Sequence, residues 1–161
     1  MIAPVDTESR ASERDHLSIR VWLRLLACTN SIENRVGSQL REEYETTLPR
    51  FDLMSQLERY PAGLRMTEIS KRMMVTGGNI TRIVDQLVAE GAVTRTVAAD
   101  DRRASIVRLT AAGRRAFADM ATAHESWIVA LFGGLRETER TQLYALLAKL
   151  KGHINAMESD D

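Results

Sequence analysis

The sequence has few residues that could form a disulfide or bind a metal. Its one cysteine, Cys28, excludes an intrachain disulfide, and its three histidines lack the H-x-x-x-H spacing of a metal site: His16, His124 and His153. No apolar run approaches the ~20 residues that span a membrane, and residues 1–14 lack the apolar segment of a signal peptide. We therefore expect a cytoplasmic protein with no metal, no cofactor and no membrane contact.

An excess of charge of one sign is also lacking, because 22 basic residues balance 22 acidic ones. This balance excludes a uniformly basic protein but conceals a gradient. Residues 65–115 contain ten basic and five acidic residues, a net charge of +5, and the rest of the chain carries −5. A polyanion would therefore dock on residues 65–115, unless these charges form only an ordinary solvated surface.

The 161 residues correspond to about one domain, and the 44% apolar content is enough for a core. Apolar residues follow helical spacing in the first and last predicted helices: Leu17, Val21, Leu25, Cys28, Ile32, Val36 and Leu40, then Leu143, Leu146, Leu147, Leu150, Ile154 and Met157. Pro49 suits the first turn of a second helix. Gly91 and Thr110 suit the end of one helix and the start of another.

The middle of the chain combines two short helices with a β-hairpin. Thr67 is predicted to cap the first helix, and the second follows the turn Thr76-Gly77-Gly78-Asn79. Val93, Arg95 and Val97 then alternate with Thr94 and Thr96, and a second β-rich run follows a charged tip at residues 100–103. This order predicts a helix-turn-helix with a β-wing behind it.

We therefore predict a mainly α protein with a small β-hairpin wing, a winged helix-turn-helix with flanking dimerisation helices. Residues 1–15 are predicted to be a flexible N-terminal arm, and residues 16–161 a single domain. Within it, residues 16–48 and 117–157 would form dimerisation helices, and residues 49–115 the DNA-binding lobe. The apolar stripe of the last helix would cover either a second copy, giving a two-fold dimer, or the first helix of the same chain.

Six residues around the start of the second short helix are candidate DNA contacts: Thr76, Gly77, Gly78, Asn79, Thr81 and Arg82. A helix N-terminus favours a phosphate because its N–H groups are unpaired and partly positive, and the glycines let a DNA backbone approach. In the major groove, Asn79 can pair with adenine and Arg82 with guanine. The alternative is an ordinary capped helix whose polar face is only hydrated.

The tip of the predicted hairpin presents two arginines, Arg102 and Arg103. We predict that they enter the minor groove, where the negative potential is strongest. Asp101 is unfavourable beside DNA unless it orients an arginine through a bidentate pair, and we assign it that role. The alternative is a solvent-exposed turn whose charges compensate one another.

These segments resemble the multiple antibiotic resistance regulator (MarR) family of winged helix-turn-helix repressors over about residues 17–150. The most specific part is the wing, where D-x-R is present as Asp101-Arg102-Arg103, V-x-L-T as residues 107–110, and a glycine as Gly113. The helix-turn-helix at residues 66–91 fits as well. The resemblance implies a homodimer that binds a palindromic operator in double-stranded DNA and is released by a small ligand.

The resemblance also implies a ligand site between the dimerisation helices and the DNA-binding lobe. Residues 48–54 and 75–79 are similar to those of members that control the breakdown of aromatic acids, some of which respond to aromatic acyl-CoA thioesters. The matching positions for a ligand are Arg20, Trp22, Arg24 and Arg50. The arginines would pair with a carboxylate or phosphate, and Trp22 would stack on a ring. Alternatively, Trp22 is dimer core and the arginines are surface residues.

Cys28 raises the question of redox sensing, since organic-hydroperoxide-sensing members use a cysteine of the first helix. In those members the cysteine sits further ahead of the proline that starts the next helix. Cys28 falls on the apolar stripe with Leu25 and Ile32, and a buried apolar cysteine is unreactive. Its position favours a core cysteine over a sensor.

The sequence therefore favours a homodimeric, sequence-specific transcriptional regulator, a repressor released by an aromatic or acidic ligand. A winged-helix module that binds proteins without DNA is the main alternative. It would keep its partner when Arg82 or Arg103 is replaced by alanine. We expect no catalytic residues, because the sequence shows no nucleophile–base pair, metal cluster or cofactor loop.

Overall fold

The structure, a computed structural model, describes residues 17–74 and 79–159. The arm predicted at residues 1–15 lies outside them. The chain divides after Thr122 into two compact units, and this boundary falls inside a long helix. The winged helix-turn-helix belongs to the first unit.

The first unit follows the order helix, helix, strand, helix, helix, strand, strand, helix. Its elements are α1 (Leu17–Tyr44), α2 (Leu48–Arg59), β1 (Leu64–Arg65), α3 (Met66–Arg72), α4 (Ile80–Ala89), β2 (Val93–Val97), β3 (Ser105–Leu109) and α5 (Ala111–Leu131), whose last residues lie in the second unit. The second unit continues with a 3-10 turn (Phe132–Gly134) and α6 (Glu137–Ser159). The predicted mainly α fold with a small β-wing is confirmed.

Helix boundaries in the first unit follow capping chemistry. Thr47 precedes α2, and its Oγ1 accepts a hydrogen bond from the Arg50 N–H at 3.4 Å, with Pro49 in the first turn. Gly91 follows the end of α4 with a φ of 74°, which glycine adopts without steric cost. The predictions for Pro49 and Gly91 are confirmed.

The start of α3 differs from the prediction. The helix begins at Met66, and the Glu68 carboxylate accepts a hydrogen bond from the Arg65 N–H at 2.8 Å. Glu68, three residues inside the helix, thus satisfies the donor ahead of it. The prediction that Thr67 caps this helix is therefore wrong.

The wing is a three-stranded antiparallel sheet in the order β1–β3–β2. The predicted hairpin consists of β2 and β3, in a register that pairs Val93 with Leu109. The two-residue β1 adds an unpredicted third strand, in which Leu64 pairs with Val107. Because β1 ends where α3 begins, the sheet is tied directly to the helix-turn-helix.

The core of the first unit draws on α1, α2, α3, α4 and β3. Its fully buried side chains include Leu40, Leu53, Leu57, Ile69, Leu87 and Val107. The rings of Phe51 and Phe117 pack with their centroids 5.3 Å apart, which joins α2 to α5. This shared core fixes the buried side of α4 and leaves its other side to solvent.

Thr110 links the end of α4, the start of the wing and the start of α5. Its hydroxyl donates to the Gly91 carbonyl at 2.6 Å, with the Ala92 carbonyl oxygen 3.2 Å away, and accepts from the Gly113 N–H at 3.0 Å. The Thr110 N–H donates to the Ala92 carbonyl at 3.0 Å. This arrangement, the Thr110 junction, confirms Thr110 as the cap of α5.

Large apolar side chains are exposed on the N-terminal half of α1 and along α6: Leu17, Ile19, Val21, Trp22 and Leu26, then Tyr144, Leu146, Leu147, Leu150, Ile154 and Met157. No residue of α6 that the structure describes is buried. Cys28 is exposed too, so the expectation of a core cysteine is wrong for the single chain. The reason is that the buried residues of α1 lie nearer its C-terminal end, at Val36, Gly37 and Leu40. None of the described helices has the length and apolar character needed to cross a bilayer.

Candidate nucleic-acid interface

The start of α4 is built around Asn79. Its backbone is extended, and its side-chain Oδ1 accepts a hydrogen bond from the Arg82 N–H at 3.1 Å. Asn79 is thus the N-cap of the second helix of the helix-turn-helix. Three predicted contacts of the preceding turn lie outside the described residues: Thr76, Gly77 and Gly78.

Helix α4 has one buried and one open side. Ile83, Val84 and Leu87 lie in the core. The open side, which we call the reading face, is lined by Asn79, Thr81, Arg82, Asp85, Gln86 and Ala89. The predicted contacts Thr81 and Arg82 are exposed on it. Asp85 and Gln86 were not predicted, although their spacing of three and four residues from Arg82 was a signal that they share its side of the helix.

Asp85 on the reading face is paired with the wing. Arg95 of β2 places its Nη1 3.3 Å from the Asp85 Oδ1. Both side chains are partly exposed, so the pair contributes little to stability. It does place a positive charge beside a carboxylate that would otherwise repel a phosphate.

The wing tip holds Arg102 and Arg103 in exposed positions. Asp101 Oδ1 accepts a hydrogen bond from the Arg103 backbone N–H at 2.9 Å, and its carbonyl accepts from the Ala104 N–H at 3.1 Å. The structure thus shows a side-chain-to-backbone turn of the Asx type, where we expected a bidentate pair between Asp101 and a guanidinium. Asp101 fixes the backbone of the tip, and the arginine side chains are accessible.

A second ion pair ties the wing tip to the helix-turn-helix. Arg65 Nη2 lies 2.5 Å from Asp100 Oδ2. The hydrogen bond and charge of Arg65 lower the pKa of the exposed Asp100 carboxyl. Because Arg65 directly precedes α3, this pair connects the tip to the start of that helix and neutralises a carboxylate next to the two exposed arginines.

The predicted ligand residues occupy two places. Arg20, Trp22 and Arg24 are exposed near the start of α1, and Trp22 retains 58% of its accessible surface. Arg50, in the first turn of α2, forms a short ion pair with Glu90 at the end of α4. The Arg50 Nε is buried and has no hydrogen-bond partner among the described residues. Arg50 therefore already holds a carboxylate, and that contact joins α2 to the end of α4.

The helical geometry of α1 keeps these two places apart within one chain. A rise of 1.5 Å per residue separates Arg24 from Leu40 by about 24 Å. The Thr46 N–H donates to the Leu40 carbonyl at 3.3 Å, so α2 and Arg50 begin near the far end of α1. The predicted ligand site thus consists of an exposed α1 cluster and a separate Arg50–Glu90 pair.

The segment that carries this geometry matches a known family. Residues 46–105 match the model described as the MarR family, and they contain the helix-turn-helix, the reading face and the wing tip. This segment is therefore similar to the MarR family of transcriptional regulators. The exposed face of α4 and the wing arginines therefore lie within the segment that matches this family.

Similarity to the MarR family extends over most of the chain. An uncharacterized HTH-type transcriptional regulator of Bacillus cereus is 27% identical over 139 residues, which cover 86% of this chain and 91% of that protein. The HTH-type transcriptional regulator PrsX of Escherichia coli is 32% identical over 96 residues, 60% of this chain and 58% of that protein. A crystal structure of a MarR family transcriptional regulator from Silicibacter pomeroyi is 27% identical, with a TM-score of 0.75 over 89% of this chain and 99% of that one.

Proposed function

We propose that this MarR-family protein is a homodimeric, sequence-specific repressor that binds a palindromic operator and is released by a small aromatic or acidic ligand. The observation that carries the proposal is the open reading face of α4 together with a wing tip that exposes two arginines. The carboxylates of Asp85 and Asp100 are each paired with an arginine. The charges of Arg82, Arg102 and Arg103 would then attract a polyanion.

In this proposal α4 enters the major groove, whose width admits a helix, and the wing reaches the neighbouring minor groove. The major-groove contacts would come from the start of α4 and the segment before it: Thr76, Gly77, Gly78, Thr81 and Arg82, with Asn79 as the N-cap that holds the helix start. The minor-groove contacts would be Arg102 and Arg103, with Asp101 shaping the tip.

A second copy of the chain is the partner that we assign to α1 and α6. The described part of α6 has no buried residue, and most helical stability in proteins comes from packing an apolar face. We assign residues 16–48 and 117–157 to dimerisation and residues 49–115 to DNA binding. A two-fold dimer would present two reading faces to half-sites about 34–36 Å apart, one turn of DNA.

Replacing Arg103 with alanine should weaken binding to every duplex by about tenfold and reduce the salt dependence of binding by about one counterion. The reason is that a wing arginine interacts with the negative potential of DNA, which all sequences share. Gel-shift titration with the promoter region upstream of the coding sequence, at two salt concentrations, measures both effects. Arg136→Ala, an exposed arginine of the second unit, is the matched control and should bind as wild type does.

The same titration separates the two classes of function. Absence of a shifted complex, or an affinity that does not change with salt concentration, would contradict a DNA-binding repressor. A protein partner that binds Arg82→Ala and Arg103→Ala as well as wild type would instead support an interaction module.

The Arg50–Glu90 pair is where we place the acidic group of the effector. A ligand carboxylate that replaces Glu90 on Arg50 would remove a contact of the end of α4, and α4 is the proposed groove helix. Arg20, Trp22 and Arg24 form the second candidate cluster, where Trp22 could stack on an aromatic ring.

Arg50→Met should abolish the rise in thermal midpoint that an aromatic acid or its CoA thioester causes in the wild-type protein, because ligand binding stabilises the folded state. Benzoate and benzoyl-CoA are suitable probes in a thermal-shift titration. Arg59→Met, an exposed arginine of the same helix, should keep the shift. If Arg50→Met responds as wild type does, the acidic group binds elsewhere, and Trp22→Ala tests the α1 cluster.

A further inference from the structure

We propose that Gln86 and Arg82 form the base-reading pair of α4, and that Asn79 serves as a helix cap and does not read a base. This inference rests on the proposed DNA-binding function and adds to it the residue that selects an adenine. It also reassigns Asn79, for which the sequence alone had suggested adenine recognition.

The side chain of Asn79 already makes a hydrogen bond with the backbone of α4. Its Oδ1 accepts a hydrogen bond from the Arg82 N–H at 3.1 Å, which satisfies one of the unpaired donors at the helix start. A bidentate pair with adenine needs both the oxygen and the NH₂ group of the amide to face the base edge. The capping hydrogen bond turns that oxygen toward the helix backbone.

Gln86 lies one helical turn after Arg82, on the same reading face. Its side chain is half-buried, whereas Arg82 is exposed. Partial packing of the glutamine stem reduces the conformational entropy lost when the amide binds. The reading face then continues to Ala89, whose small side chain leaves room for the edge of a groove to approach.

The remaining polar residues of this face are Thr81 and Asp85. Thr81 offers a base edge only a single oxygen, and Asp85 accounts for no adenine contact either. Arg95 holds the Asp85 Oδ1 at 3.3 Å, and a carboxylate can only accept hydrogen bonds. Adenine presents an acceptor, N7, beside its N6 donor, so a carboxylate matches only half of that pattern. The Gln86 amide has one acceptor and two donors and matches both.

The spacing of the pair predicts the order of the bases that it reads. Residues four apart on a helix have their Cβ atoms about 5–6 Å apart, and successive bases rise by about 3.4 Å along one strand. Arg82 and Gln86 would therefore read a guanine and an adenine that lie one or two base pairs apart in each half-site.

Selection from a pool of randomised duplexes, with the full-length protein, tests the assignment. Gln86→Ala should lose an adenine preference of about ten- to a hundredfold at one position of each half-site. Gln86→Glu should shift that position toward cytosine, whose N4 amino group suits a carboxylate acceptor. Asn79→Ser preserves a capping oxygen and should select the wild-type sequence.

Two controls separate this inference from the proposed function. Binding of the uncharged variants, Gln86→Ala and Asn79→Ser, to a random-sequence duplex should keep its wild-type affinity and salt dependence, because those report phosphate contacts. If wild type selects a motif and Asn79→Ser loses an adenine that Gln86→Ala retains, the assignment of Gln86 is wrong while DNA binding stands. If wild type selects no motif and binds no duplex, the proposed function fails as well.

Discussion

Replacing Gly113 with alanine is expected to lower the free energy of unfolding by about 3 kcal/mol. In an ordinary helix the same change would be favourable by about 0.5–1 kcal/mol. Here a Cβ would lie 1.9 Å from the Ala92 carbonyl oxygen and 2.8 Å from its carbonyl carbon. That carbonyl also accepts the Thr110 N–H, so α5 cannot move away without opening the Thr110 junction.

Urea unfolding at a fixed protein concentration measures this effect, and Gly37→Ala in α1 is the matched control. Among the residues that the structure describes, a Cβ at Gly37 would meet only the Arg41 Nη1, at 3.6 Å, which is an ordinary contact. Gly37→Ala should therefore be neutral or more stable by about 0.5–1 kcal/mol. A Gly113→Ala variant with wild-type stability would show that Ala92 can shift at little cost, and the Thr110 junction would then be less rigid than described.

Replacing Asp52 with alanine is expected to cost about 2–3 kcal/mol and to weaken operator binding. Asp52 is buried in α2, and its Oδ2 accepts a hydrogen bond from the Met74 N–H at 2.6 Å. Its Oδ1 accepts from the Gln56 Nε2 at 3.2 Å. Without the carboxylate, the buried Gln56 amide and the part-buried Met74 N–H both lose an acceptor. Operator affinity should also fall, because Met74 lies only six residues ahead of α4.

The comparison that isolates this effect uses Glu58→Ala, an exposed carboxylate of the same helix, which should change stability by less than about 0.5 kcal/mol. Asp52→Asn keeps one acceptor oxygen and should fall between wild type and Asp52→Ala. Unfolding curves and gel-shift titration on each variant give the two readouts. Equal operator affinity in Asp52→Ala and Glu58→Ala would mean that the Met74 contact does not help to position α4.

The sequence predicted correctly those helix ends that depend on neighbouring residues in the chain. Pro49, Gly91 and Thr110 mark helix ends because fixed φ, positive φ and a capping oxygen act within one turn of chain. The hairpin was likewise predicted, since two β-rich runs flank a charged tip at residues 100–103. The predicted Thr67 cap was wrong because a helix start can be capped in two ways, by a side chain ahead of it or by one inside it. Here the Glu68 carboxylate, inside the helix, accepts the Arg65 N–H.

The sequence did not predict features that depend on contacts between residues far apart in the chain. Strand β1 has two residues, too few for an alternating pattern, and it exists because it pairs with β3. The Arg65–Asp100 pair joins residues 35 positions apart, which no local pattern indicates. Asp101 was expected to pair with an arginine side chain, but its carboxylate accepts the Arg103 backbone N–H. The spacing of Gln86 from Arg82 indicated a shared side of α4, but the rules for anion binding at a helix N-terminus point only to the residues of the helix start.

The Thr110 hydroxyl contacts backbone groups at the exit of α4, the entry to the wing and the first turn of α5. A rotation of that first turn would therefore move α4 and the wing together. A displacement of the start of α5 would then change the positions of both proposed DNA-contacting elements at the same time. Under the proposed function, the major-groove helix and the wing would therefore dissociate from the operator together.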